Sequence, residues 1–102
     1  MFASLYYNLG DIKSVDKCYQ IYLKIIQKNY GDTSLELANS YFSIGVYFMQ
    51  TKRFIKAVAL FKNCLKIREE NFGKIHEGIA DCLTNIGICF LVASSEPDTI
   101  GL

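Results

Sequence analysis

An all-α solenoid, in which antiparallel helix pairs stack side by side, is the fold that three observations on the 102-residue chain predict. The sequence resembles itself at a shift of 42 residues, as SIGVYF at 43–48 against NIGICF at 85–90 shows. Within each copy the apolar residues recur at helical spacing: Tyr41, Ile44, Gly45 and Phe48 lie at i, i+3, i+4 and i+7. A glycine also falls mid-helix at the same place in both copies, Gly45 and Gly87. A fixed period of this length means supersecondary units that bury their apolar faces on one another. A β-propeller has a similar period but needs four strands per blade, and no alternation of period two is visible.

The matches run through much of the chain. Asn29-Tyr30-Gly31 falls on Asn71-Phe72-Gly73, and Leu23-Lys24-Ile25 on Leu65-Lys66-Ile67. Tyr19 meets Phe61, Ala38 meets Ala80, Ile44 meets Ile86, and Phe48 meets Phe90. The predicted array covers residues 1–92, as a partial unit 1–29, a full unit 30–71 and a partial unit 72–92. In the partial unit, residues 1–9 form the back half of a first helix and 12–28 its partner. Residues 35–50 and 54–70 are the helices of the full unit, and 78–92 is the first helix of the next. Thr33 is the expected N-cap of 35–50, with Glu36 three residues on to complete a capping box. The polar QTKR at 50–53 supplies the turn inside the unit. Phe54, Ala57, Val58, Phe61, Leu65 and Ile67 carry the helical rhythm of the second helix. After Phe90 the pattern decays, and 93–102 reads as a polar tail holding the one proline.

Glycine inside a helix costs about 1 kcal/mol relative to alanine, so its recurrence needs a compensating gain. Close approach of a partner helix is the usual one, which makes Gly45 and Gly87 the predicted crossing points within their units. Ala57 and Cys64 are the expected small residues opposite, with Phe48 and Phe61 filling the space beside them.

Composition narrows the function. The hydrophobic share is 51%, too high for a disordered chain, and 11 Lys and Arg against 10 Asp and Glu give a net charge of +1. A phosphate-backbone binder is usually far more basic, so nucleic acid is not an expected partner. No apolar run approaches the roughly 18 residues of a membrane span, and the N-terminus lacks the basic flank and long apolar stretch of a signal peptide. Membrane insertion is not expected, and the default compartment is the cytoplasm. Cys18, Cys64, Cys82 and Cys89 contain no Cys-x-x-Cys pair. Cys82 and Cys89 share a face but lie two turns apart, so reduced, buried thiols are the expectation, with no metal and no cofactor. The lone His76 has no nucleophile fixed beside it, and no phosphate-binding glycine loop occurs. Nothing in the pattern supports an enzyme.

Tyr41-x-x-Ile44-Gly45-x-x-Phe48 followed by Ala57-x-x-x-Phe61 resembles the signature of the tetratricopeptide repeat (TPR). Leu83-x-x-Ile86-Gly87-x-x-Phe90 repeats its first half, and Val15-x-x-x-Tyr19 its second. The common repeat has 34 residues and ends with a proline. Here Glu69 stands where that proline would fall, and the longer period is similar to the repeats of kinesin light chains. FGKIHEGIA at 72–80 keeps the Gly and His of their inter-unit link.

The resemblance implies a non-catalytic scaffold or adaptor whose concave groove, lined by first helices, binds a protein or peptide. The groove stripe on 35–50 is Asn39, Phe42, Val46 and Met49, and its counterpart on the next unit is Asp81, Thr84, Ile88 and Leu91. Val46 and Ile88 fit equally well as packing between first helices. Asn85 matches an asparagine that such repeats often use to hold an extended peptide backbone, while Ser43 replaces it one unit earlier. The groove positions of a chaperone-type carboxylate clamp carry Phe42, Val46 and Asp81 instead of basic and amide residues, so that ligand is not expected. The alternative is a structural subunit of a cytoskeletal, ciliary or transport assembly. It would dock, or self-associate, through solenoid ends that carry no capping helix.

Overall fold

The structure, a computed structural model, describes residues 12–95, with side-chain environments from residue 15 to 94. Four helices follow one another: α1 (Ile12–Tyr30), α2 (Leu35–Gln50), α3 (Phe54–Phe72) and α4 (Glu77–Ser95). No strand occurs among the described residues. Each helix packs on the next, and α2 also touches α4. The result is the predicted all-α solenoid of stacked antiparallel pairs. The first helix expected at 1–9, and the part of the tail beyond residue 95, lie outside the described residues.

The links repeat as the sequence does. Gly31 has φ +99° and Gly73 φ +80°, and both residues turn the chain out of a long second helix in a region that favours glycine. The amide of Gly31 donates to Gln27 O (2.8 Å) and that of Gly73 to Glu69 O (2.9 Å). These bonds carry α1 and α3 two residues past the expected ends at 28 and 70. The α2–α3 turn is Thr51 to Arg53, where Lys52 takes φ +66° without being a glycine. Asp16 of α1 reaches this turn and accepts two 3.0 Å hydrogen bonds from the Arg53 guanidinium, which also covers the Phe48 ring at 4.5 Å.

The cap of α2 differs from the expectation. Ser34, not Thr33, is the N-cap: its side chain accepts from Leu37 N (3.1 Å), and its hydroxyl donates to Gly31 O. Thr33 instead offers its carbonyl to Asn71 Nδ2 (2.9 Å). The helix begins at Leu35 as expected, and the glycine turn places Ser34 directly before it, so Ser34 is the residue positioned to cap. At α4, His76 is the cap, its Nδ1 accepting from Gly78 N (2.9 Å) while its ring stacks on Phe72.

The core is continuous from α2 through α3 to α4. Ile44, Phe48, Phe54, Ala57, Leu60, Phe61 and Cys89 form one buried cluster; Leu37, Ala38, Cys64, Ile67 and Cys82 form a second. Leu60 and Cys64 take the buried positions on α3, whereas Val58 and Leu65 are half-buried. Gly45 is a contact point, but the neighbour is Phe61 rather than Ala57 or Cys64. A Cβ on Gly45 would lie 2.9 Å from Phe61 Cε1. The glycine therefore makes room for an aromatic ring. Gly87 has nothing within 4 Å and faces open space, so the crossing expected there is not made among the described residues.

Helix α4 corrects the sequence estimate of apolar length. Glu77–Ser94 has mean hydropathy 1.3 over 18 residues, enough by length and composition to cross a membrane, though only 17% of it is buried. Polar residues scattered along the segment conceal this from a search for unbroken apolar runs. In the fold α4 packs on α3 through Ile79, Cys82 and Cys89, and leaves Leu83, Phe90 and Leu91 exposed.

Candidate functional site

The predicted groove residues fall into two settings. On α2, Asn39 is exposed, while Phe42, Val46 and Met49 are half-buried and pack against the core cluster around Phe61. Phe42 meets Phe61 edge-on with ring centroids 5.5 Å apart. Its ring is therefore packed within its own unit, against the second helix. On α4, Asp81, Thr84 and Ile88 are exposed and Asn85 is half-buried. The Asn85 amide donates to Asp81 O (2.9 Å) in its own helix.

Two concavities border these residues. The larger, about 770 Å³, lies between α1 and α2 and is lined by Tyr19, Tyr22, Ile26, Asn39, Val46 and Tyr47 among others. Aromatic and aliphatic walls with a few polar groups are the usual composition of a site for a peptide or small ligand. The smaller, about 250 Å³, brings Asn39 of α2 and Asp81 of α4 together beside Phe72 and His76. Asn39 and Val46 thus share the first, and Asn39 and Asp81 the second. Phe42, Met49, Thr84, Asn85 and Ile88 line neither.

Arg68 is the residue that the sequence reasoning missed. Its guanidinium covers the Phe42 ring at 4.7 Å, Nη1 donates to Gly78 O (2.9 Å), and Nη2 lies 3.4 Å from Asn39 Oδ1. One side chain from α3 therefore ties α2 and α4 together on the floor of the smaller concavity. The signal was present: the equivalent residue one unit earlier is Ile26, so a cation replaces an aliphatic side chain at a repeated position.

Burial acts on two groups of α2 and α4. It is the main cause raising the Tyr41 hydroxyl and the Cys89 thiol above their ordinary values, with Asp32 adding to the effect on Tyr41. No cluster of three or more His, Cys, Asp or Glu side chains suited to a metal gathers among the described residues. Aromatic, aliphatic and amide side chains thus line the two concavities.

Residues 38–71, most of α2 and nearly all of α3, match the tetratricopeptide repeat family. The match covers a third of the chain and lies inside the predicted unit 30–71. With the four stacked helices, it defines an all-α, tetratricopeptide-like helical solenoid. Such repeats generally mediate protein–protein interaction and are generally non-catalytic. No curated protein matches the chain.

Proposed function

We propose that the chain is a scaffold or adaptor that holds an extended protein or peptide segment along the exposed side of α2, continuing toward α4. The observation that carries this is the aromatic-walled cleft of about 770 Å³ beside α2, which Asn39 and Val46 help to line. Apolar side chains of the segment would enter between Tyr19, Tyr22 and Val46. Its backbone would meet amide groups at Asn39 and, further on, at Asn85. The long repeat favours a kinesin-light-chain-like setting in the cytoplasm, in transport, cytoskeletal or ciliary assemblies. Neither nucleic acid nor membrane insertion has a part in this function.

Peptides selected from a displayed random library on the full chain supply the probe. Val46→Glu should weaken the selected peptides at least tenfold by calorimetry. Asn85→Ala should cost about 1–2 kcal/mol, the value of a hydrogen bond lost from a desolvated site. Wild-type affinity in both variants, with helicity unchanged, would refute the groove.

A second reading has its own support. The outer face of α4 leaves Leu83 54%, Phe90 59% and Leu91 71% exposed around the bare Gly87. Docking or self-association through that end predicts that Phe90→Glu abolishes binding or dissociates oligomers in sedimentation, while Val46→Glu does neither.

A further inference from the structure

Cys64 of α3 and Cys82 of α4 face each other across the junction between units, with Cys82 Sγ 3.4 Å from Cys64 Sγ. Both are free thiols with no exposed surface. A disulfide requires sulfurs about 2.05 Å apart, so closure must bring the two Sγ roughly 1.4 Å nearer to each other. We propose that Cys64 and Cys82 are an oxidative modification site, at which a disulfide staples α4 to α3 and locks the two units together.

The internal repeat isolates this feature. One unit earlier the equivalent positions are Tyr22 and Ser40, and they too lie side by side, with Ser40 Oγ 3.4 Å from Tyr22 Oη. The fold thus brings these two positions together at both junctions, and only the α3–α4 junction carries a pair that can be cross-linked. Arg68 Nη1 stands 3.6 Å from Cys82 Sγ, which places a cation at the edge of the pair. Burial, followed by the hydrogen bond shared with Cys82, pushes the Cys64 thiol up to about 12, so the closed pair is slow to react. Reaction requires α4 to lift, and among the described residues α4 is packed on one side only.

The co-reactant is a low-molecular-weight disulfide such as oxidised glutathione. One cysteine loses its proton and attacks a sulfur of the reagent, forming a mixed disulfide and releasing one thiol. The second cysteine displaces the remaining thiol. The protein gives up two electrons and two protons, and the reagent leaves as two thiols.

The test uses the full chain, reduced and then equilibrated in oxidised glutathione. Loss of two hydrogens in the intact mass and a fall in free thiols from four to two are expected. Trypsin leaves Cys64 within Asn63–Lys66 and puts Cys82 with Cys89 on a second peptide, so fragment ions assign the partner. Cys89→Ser should leave the cross-link intact, and Cys82→Ser should abolish it. Oxidation should raise the melting midpoint by about 15 °C, as a loop of this length predicts. Four thiols persisting in glutathione, or a cross-link through Cys18 or Cys89, would overturn the proposal.

Discussion

Gly45 and Gly87 stand at the same place in consecutive units, yet their surroundings are opposite. Gly45 is buried beneath Phe61, which would lie 2.9 Å from any Cβ placed there. Gly87 is exposed, with nothing within 4 Å. The same contrast extends along both helices. Phe48 has no exposed surface, whereas its equivalent Phe90 is 59% exposed. In α2 the repeat signature is spent on α3. In α4 the same signature is present without a described helix to receive it. A repeated motif therefore specifies a surface, and whether that surface becomes core depends on what lies next to it.

The largest effect should come from the aromatic pair. Phe48→Ala removes a fully buried ring and should cost about 3–5 kcal/mol in urea unfolding. Phe90→Ala should stay within about 0.5 kcal/mol of wild type, as surface changes usually do. Similar costs at the two positions would show that Phe90 is covered in solution and would break the comparison.

Acid should sharpen a different contrast, between the two inter-unit junctions. The α1–α2 junction is tied by Asp16, whose carboxyl lies below its ordinary value of 3.8 mainly because Arg53 hydrogen-bonds it, partly offset by burial. A folded-state value below the unfolded one means that the stabilisation is complete above about pH 4 and is lost as pH falls through the folded value. Asp16→Asn should cost about 1 kcal/mol near neutrality, a modest figure because both partners retain solvent contact, and the deficit should vanish in strong acid. A deficit that persists there would assign the loss to packing.

His76→Ala should cost about 1 kcal/mol, the usual value of an N-cap, and hydrogen exchange should quicken first at the start of α4. At the α2–α3 turn the expected effect is a gain. Lys52→Gly should stabilise the chain by about 1 kcal/mol, since the residue at φ +66° would no longer carry a side chain in the left-handed region.

Much of this fold was legible because its information is periodic. The shift of 42 residues located each described helix, and Ile44, Gly45, Phe48, Ala57 and Phe61 were placed in the core by spacing alone. The misses are local or three-dimensional. Choosing Thr33 over Ser34 as cap could not be settled without the direction in which Gly31 turns the chain. The cysteines were weighed by local spacing, through the absence of a Cys-x-x-Cys pair, which hides the approach of Cys64 to Cys82 between two helices. Spacing placed Asn39, Phe42, Val46 and Met49 on one stripe of α2, but it could not tell that Phe42 would be half-buried against Phe61, or that Arg68 would arrive from α3 to cover it.

The central claim, that the repeated glycine is a seat for an aromatic ring on the following helix, is tested most directly by comparing Gly45→Ala with Gly87→Ala in one thermal or urea series. Alanine improves helix propensity at both sites by about 1 kcal/mol. At Gly45 the clash with the buried Phe61 ring should outweigh that gain and leave a net loss of about 1–2 kcal/mol. At Gly87 the gain should survive intact as a stabilisation of up to about 1 kcal/mol. Opposite signs are the predicted result. Stabilisation at both positions would contradict the account, because it would mean that Phe61 does not sit on Gly45.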